Sequence, residues 1–448
     1  MKTADFVIIG SGQGGVPLAA KLAERGHRVV IFERAAWGGT CVNTGCIPSK
    51  TLLASAHAAA AARNAAVLGV HADVKVSFSE VMNRVRDSIQ PEGIVKWLNS
   101  VDAELVEAEA GFIGSHTVQG GDTTVEAENI IINTGKSPFV PDILGLADTP
   151  YLTYQNFWQL ETLPEKMVVI GGGYTGLELA QAMQRLGSQV EVIEVADRLV
   201  AAEEEDVSQA LQAALAADGV RFHLGANVEK VAYKDGLFEV GVDTAVTPLT
   251  SNALLVATGR RPNVEALNPA KWGIALDEKG HIQVDDQFRT TADGVYAIGD
   301  VTGQPAFTHV SWEDHRRLLA ILDGQDRHRG DRVLGYAFFT DPQVGRVGKT
   351  LAQAQDEGIA AKEATLPLKN VSRAAATGYT EGFFRLVIDE DTDRIVGATL
   401  VGPQAAELVH VILAHMEAGS TWQVLERSQH IHPAYAEDLP TLARQFVE

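Results

Sequence analysis

Asp5-Phe6-Val7-Ile8-Ile9-Gly10-Ser11-Gly12-Gln13-Gly14-Gly15 joins a short apolar run to a cluster of glycines. The run has the unbroken hydrophobicity of a parallel strand buried on both faces. Gly10, Gly12 and Gly15 keep the G-x-G-x-x-G spacing, and residues 16–25 continue with a helical pattern. Glycines in that order allow a tight turn, let backbone N–H groups approach a pyrophosphate, and bring helix close to strand. Residues 28–32 read as a second strand that delivers Glu33, eighteen residues after Gly15. A carboxylate there can accept hydrogen bonds from a ribose hydroxyl pair. Glycine-rich turns alone are common; strand, helix and acidic terminus in sequence make a nucleotide site.

The arrangement returns 161 residues later. Residues 166–170 form the strand, Gly171-Gly172-Gly173-Tyr174-Thr175-Gly176 the loop, 177–186 the helix, and 189–193 a strand ending at Glu194. Gly171, Gly173, Gly176 and Glu194 stand in one register with Gly10, Gly12, Gly15 and Glu33. Two dinucleotides are therefore expected, one per unit. Glu194 favours the free 2′-hydroxyl of NAD and repels the 2′-phosphate of NADP. Arg198, four residues on, could reach such a phosphate, which keeps NADP possible. The run Glu203-Glu204-Glu205-Asp206 reads as the solvated, acidic opening of a helix.

The chain has only two cysteines, both in Gly38-Gly39-Thr40-Cys41-Val42-Asn43-Thr44-Gly45-Cys46-Ile47-Pro48-Ser49-Lys50. A disulfide-stapled fold would spread its cysteines, and a zinc site needs further ligands at suitable spacing. Two thiols with four residues between them suit a dithiol that opens and closes; the plain alternative is a pair of inert buried hydrophobes. The adjoining nucleotide sites favour redox chemistry.

Length, 448 residues, suggests about three domains. With 46% hydrophobic and 21% charged residues the composition is that of a globular protein, and a net charge of −21 argues against nucleic acid or anionic membranes as partners. The first residues run straight into a strand-like segment, leaving no room for a signal peptide, and the Ala-rich stretch 54–66 reads as a helix rather than a membrane span. A dithiol without structural disulfides fits a cytoplasmic location.

These motifs resemble the class I pyridine nucleotide–disulfide oxidoreductases, which include dihydrolipoyl dehydrogenase, glutathione reductase and mercuric reductase. Thr258-Gly259-Arg260-Arg261-Pro262-Asn263 resembles the segment closing that family's NAD domain. Tyr296-Ala297-Ile298-Gly299-Asp300 resembles the segment whose aspartate binds the FAD ribityl chain, and His430-Ile431-His432-Pro433-Ala434-Tyr435-Ala436-Glu437 the His-Pro-x-x-x-Glu signature. The resemblance implies an α/β fold with two Rossmann-like dinucleotide-binding domains and a C-terminal α+β dimerisation domain. Residues 1–145 and 273–330 would bind FAD, 150–272 NAD, and 331–448 would dimerise. The breaker-rich stretch 136–142 reads as a linker, and 104–132 as a small antiparallel excursion.

The resemblance further implies that electrons pass from NADH through FAD to a Cys41–Cys46 disulfide, with Cys46 nearer the flavin and Cys41 exchanging with substrate. His432 and Glu437 would complete the other subunit's site, His432 as acid–base and Glu437 holding its tautomer. Lys50 would pair with Glu178 near the flavin, and Tyr174 would cover the nicotinamide pocket. Gly135 and Gly259 join the cofactor-contacting positions. His430 and His432 would share a face of an extended segment, but no third metal ligand stands nearby and no metal is expected.

Some residues depart from the relatives. No thiol follows Cys46, which disfavours mercury transfer through C-terminal cysteines and the C-terminal redox pair of large thioredoxin reductases. Thr340-Asp341-Pro342-Gln343 stands where dihydrolipoyl dehydrogenase has Thr-His-Pro-Glu, and His430-Ile431-His432-Pro433 where it has His-Ala-His-Pro. The expected activity is exchange between NAD(H) and a disulfide or dithiol, with dihydrolipoamide the first substrate to test. The alternatives are a stand-alone NAD(P)H reductase of another disulfide, small oxidant or quinone, and a redox subunit docked to a 2-oxo acid dehydrogenase complex.

Overall fold

The computed structural model describes residues 1–447. The strand Lys2–Ile9 runs parallel to Val29–Glu33 on one side and to Thr123–Ile132 on the other, with Phe6 opposite Val29 and Ile9 opposite Ile132. Val7, Ile8 and Ile31 are wholly buried, as parallel strands covered on both faces should be. Glu104–Glu107 extends the sheet beyond Val29–Glu33. The far edge of Thr123–Ile132 is shared: its first residues take the antiparallel strand Thr117–Gly120, which in turn pairs with Ala110–Gly114, and its last three take Val295–Ala297 in parallel. The segment ending at Asp300 thereby returns to the first sheet.

A second sheet repeats the plan with parallel strands Arg221–Leu224, Gln189–Glu194, Lys166–Ile170 and Ala253–Val256. The two glycine loops match in geometry as well as spacing. Gly10 has φ +104° and Gly171 φ +111°; a Cβ there would meet a backbone carbonyl, of Asn133 or Ala257, at 2.4 and 2.5 Å. A Cβ on Gly15 or Gly176 would lie 2.2 or 2.3 Å from the carbonyl of the loop's own first glycine. Only glycine fits these positions, so each helix (Gly15–Glu24, Tyr174–Leu186) packs directly on its strand.

The third sheet is antiparallel, Gly335–Phe338, Gln343–Gly348, Ile395–Gly402, Phe383–Asp389 and Ala361–Pro367, with the helix Ala405–Glu417 against it. The helix Cys46–Asn64 runs out from the cysteine segment and packs along Tyr174–Leu186; Leu52, Leu53 and Ala56 share one core with Leu179, Ala182 and Met183. No helix among the described residues is long and apolar enough to cross a membrane.

Three local expectations change. The stretch 136–142 is not a bare linker: Lys136–Pro138 pairs antiparallel with Arg260–Pro262, a two-stranded ribbon that tolerates its prolines because both strands are edges. The acidic run does open the helix Glu205–Ala217, with Glu205 exposed, but it is not solvated throughout. Glu203 is 5% exposed, with Arg346 Nη1 at 2.9 Å and the Tyr336 hydroxyl on its other oxygen, and Glu204 and Asp206 both face Arg385. Their charge is neutralised by arginines on the third sheet, which ties the second nucleotide unit to it. Arg198, finally, is engaged locally, donating to the carbonyls of Ala201 and Glu203 at 3.0 and 3.4 Å.

Candidate active site

A cavity of about 1090 Å³ runs from the first glycine loop past the cysteines to Tyr174 and the third sheet. Cys41 lies in the short helix Gly39–Asn43, entered through two left-handed glycines, Gly38 and Gly39. Cys46 is the first residue of the helix Cys46–Asn64, where unpaired N–H groups and the helix dipole favour negative charge. Both are free thiols. Thr308 Oγ1, at the start of the helix Thr308–Leu322, lies 2.9 Å from Cys46 Sγ.

The two sulfurs share one proton unequally. The Cys46 thiol is lowered to about 6, chiefly because the Cys41 thiol donates a hydrogen bond to it, with Thr308 and the Lys50 charge helping against burial. Cys41 is correspondingly pushed up, because it keeps the proton it donates and is itself buried. The direction of both shifts favours the negative charge on Cys46 rather than on Cys41.

One turn into the same helix, Lys50 Nζ is 2.8 Å from Glu178 Oε2 and 4.5 Å from the centre of the Phe339 ring. Glu178 is 4% exposed and accepts a second bond from the Phe339 N–H at 2.9 Å. Tyr174 opens the second-loop helix and enters the cavity wall, its ring parallel to Phe338 (5.4 Å, 8°) and near Phe307 (5.7 Å).

At the other end Glu33 binds its own loop. Its Oε2 accepts from the Ser11 N–H at 2.9 Å and the Ser11 hydroxyl at 2.6 Å, and its Oε1 from the Ala35 N–H at 2.8 Å. Ser11 Oγ in turn accepts from the Gly38 N–H at 3.0 Å, so one carboxylate fixes the loop and the entry to the cysteine segment together. Glu194 repeats the device, accepting from Gly172 N–H at 2.6 Å and Ala196 N–H at 2.8 Å.

A flavin dinucleotide fits this cavity. Gly10, Gly12, Gly39 and Gly135 present bare backbone to it, and a Cβ on Gly135 (φ +66°) would meet nothing. Glu33 has acceptor capacity left for a ribose. Asp300 is raised by burial despite Arg260 at 3.8 Å and the nearby Lys136, an acceptor in the cavity wall suited to a polyol. In the second unit, Gly173 and Gly259 (φ +117°) are equally open.

Cys41, Cys46, Lys50, Glu178, Tyr174, Glu33, Asp300 and the glycines 10, 12 and 135 therefore line one space. Gly15, Gly171 and Gly176 shape the loops behind it. His432 and Glu437 do not line it. Their pair is formed, Nδ1 to Oε2 at 2.8 Å, but the His432 side chain is 76% exposed. Sequence reasoning missed Thr308, which reaches Cys46 across 262 residues and has no local signal, and Phe339, hidden in an ordinary apolar run.

Residues 4–314 match the family model described as pyridine nucleotide-disulphide oxidoreductase, and residues 335–443 match that family's dimerisation domain. The probable pyridine nucleotide-disulfide oxidoreductase RclA of Escherichia coli (strain K12) is 33% identical over 99% of both chains. Dihydrolipoyl dehydrogenase 3 of Haloarcula marismortui is 31% identical, covering 100% of this chain and 97% of its own. A mercuric reductase of Acidithiobacillus ferrooxidans is 34% identical, over 98% of this chain and 82% of its own. The structure of the HOCl-induced flavoprotein disulfide reductase RclA from Escherichia coli superposes with a TM-score of 0.89 at 32% identity, over 99% of this chain and 100% of the other.

The chain belongs to the pyridine nucleotide–disulphide oxidoreductases. It is an oxidoreductase with FAD and a pyridine nucleotide as cofactors, and its dimerisation domain supports a homodimer.

Proposed function

We propose that Cys41 and Cys46 carry electrons from NADH to a disulfide outside the chain, with lipoamide the first substrate to test. The single observation behind this reading is that Cys41 and Cys46 line one cavity with the first glycine loop, with Thr308 Oγ1 2.9 Å from Cys46 Sγ and Lys50 one turn along the Cys46 helix. Bound FAD supplies the two-electron relay between nicotinamide and sulfur. Residues 1–145 and 273–330 would hold it, 150–272 the nicotinamide nucleotide, and 331–448 the second subunit; the return of Val295–Ala297 to the first sheet supports that division.

In the direction of disulfide reduction, Cys41 loses its proton to His432 of the partner subunit and attacks one substrate sulfur. The substrate S–S bond breaks, and the leaving thiolate takes the proton back from that histidine. The Cys46 thiolate then attacks Cys41, releasing the second substrate thiolate, which takes its proton from solvent. The new Cys41–Cys46 bond carries the two oxidising equivalents taken from the substrate. Glu437, hydrogen-bonded at Nδ1, orients the imidazole so that Nε2 handles the proton. Lys50, held by Glu178, places a positive charge where negative charge develops during the relay. Glu194 sets the nucleotide preference to NAD.

An anaerobic NADH titration of the flavin-loaded dimer, followed by a panel of disulfides, tests this. Stoichiometric loss of flavin colour and turnover that disappears in Cys41→Ser and Cys46→Ser are expected. Full disulfide turnover in either serine variant would falsify the reading. A second reading, reduction of a small oxidant, is favoured by the likeness to RclA, one structure of which is described as a Cu(II) complex of an HOCl-induced flavoprotein disulfide reductase. Turnover with small oxidants but with no disulfide in the panel selects it.

A further inference from the structure

We propose that Gln181 is a positioning residue for Lys50, acting through the segment 339–341; this rests on the role given to Lys50 and Glu178 above. The sequence sets Thr340-Asp341-Pro342-Gln343 apart from the dihydrolipoyl dehydrogenase pattern, and nothing in the mechanism uses it. That segment links the strands Gly335–Phe338 and Gln343–Gly348 of the third sheet and passes across the helix Tyr174–Leu186.

Gln181, wholly buried, brackets the Asp341 residue. Its Oε1 accepts from the Asp341 N–H at 2.8 Å and its Nε2 donates to the Asp341 carbonyl at 2.8 Å. The same Nε2 donates to Asp218 Oδ2 at 2.8 Å. One turn further along the helix, Arg185 Nη2 lies 3.0 Å from Asp341 Oδ2 while its Nε donates to Asp218 at 2.7 Å. One turn earlier stands Glu178, bonded to the Phe339 N–H and to Lys50.

Glu178, Gln181 and Arg185 thus lie on one face of one helix and hold Phe339 and Asp341, two residues of the link between those two strands of the third sheet. Phe339 sets both contacts of the ammonium: its ring lies over Lys50, and its N–H fixes the Glu178 carboxylate that pairs with it. Lysine needs such help, because its charge sits on a flexible four-carbon stem and its field depends on distance. Removing the Gln181 amide takes from the part-buried Asp341 both of its backbone partners on the helix, which releases the link to move and Phe339 with it.

A double-mutant cycle on the flavin-loaded dimer tests the proposal. Gln181→Met, Lys50→Met and the double variant are compared for single-turnover flavin reduction by NADH and for flavin reduction potential, with thermal unfolding recorded beside them. Gln181→Met should slow reduction about tenfold and make the potential more negative. In the Lys50→Met background the same change should do neither, while still lowering thermal stability. Phe339→Leu, which leaves every buried hydrogen bond intact, should behave like Gln181→Met and carries the cycle if that variant does not fold. Additive effects, or wild-type rate and potential in Phe339→Leu, overturn the proposal alone. Wild-type rate and potential in Lys50→Met overturn it together with the role assigned to Lys50.

Discussion

Thr308 Oγ1 lies 2.9 Å from Cys46 Sγ, although 262 residues separate them. The hydroxyl has rotational freedom, so it donates when the sulfur is a thiolate and becomes an acceptor when it is not. It therefore stabilises the charged form selectively. Thr308→Val keeps the shape and removes the donor. A hydrogen bond to a charged group contributes about 1.5 kcal/mol, roughly one unit of pKa. Cys46, lowered to about 6 in the reduced enzyme, should rise by about that unit. Alkylation of the anaerobically reduced protein at a series of pH values measures it. The rate follows the thiolate and falls as pH drops through the Cys46 value; in Thr308→Val that fall should come at higher pH. An unchanged profile would show that the hydroxyl does not face the thiolate.

The carboxylate of Glu33 takes three hydrogen bonds, two from Ser11 and one from Ala35, and Ser11 passes the constraint to Gly38. Glu33→Gln replaces one acceptor oxygen by a donor that meets N–H groups head on. The expected outcome is loss of bound FAD rather than a change in chemistry. With each bond to a buried carboxylate contributing about 1.5–3 kcal/mol, retention should fall by about tenfold or more. The ratio of flavin to protein after gel filtration reads this directly, and added FAD should restore turnover.

What could be read from the sequence was what neighbouring residues encode among themselves. Gly10 and Gly15 are legible because the clash each avoids is with backbone that any Rossmann turn must place there. The cysteine pair is legible because both sulfurs come from one short segment. Thr308, Phe339 and the partners of Glu203 are different: each acts through a contact set by how two sheets meet, and no local pattern records it. The acidic run shows the limit. Four acids at the start of a helix fit a solvated cap; Glu205 stays exposed, and it is Arg346 and Arg385, on strands of the third sheet, that pair Glu203, Glu204 and Asp206.

That buried cluster makes its own prediction. Glu203 and Arg346 are 5% and 3% exposed, with Nη1 and Oε2 2.9 Å apart. Removing one partner leaves an uncompensated charge away from water, at a cost of about 3–5 kcal/mol. Glu203→Gln and Arg346→Met should each lower the urea midpoint sharply. The double variant Glu203→Met with Arg346→Met should recover most of the loss, because both charges leave together. Two single losses that simply add would mean the charges do not interact. The Tyr336 hydroxyl, raised by burial and by Glu203, should stay protonated across the working range.

Glu194 faces two demands at once. Its oxygens accept from the Gly172 and Ala196 N–H groups, so it shapes the second loop, and on the proposed reading its charge would oppose a phosphate at the nucleotide 2′ position. Arg198 donates to the carbonyls of Ala201 and Glu203 in this structure. Glu194→Gln should keep part of the loop geometry while removing the repulsion. The ratio of kcat/KM for NADH over NADPH should then fall by about tenfold, roughly 1.4 kcal/mol, mostly through a lower KM for NADPH. Steady-state kinetics with both nucleotides and one fixed acceptor measure the ratio. A ratio that stays at the wild-type value would locate the discrimination elsewhere in the second unit, whereas equal loss with both nucleotides would mean that Glu194 serves the loop alone.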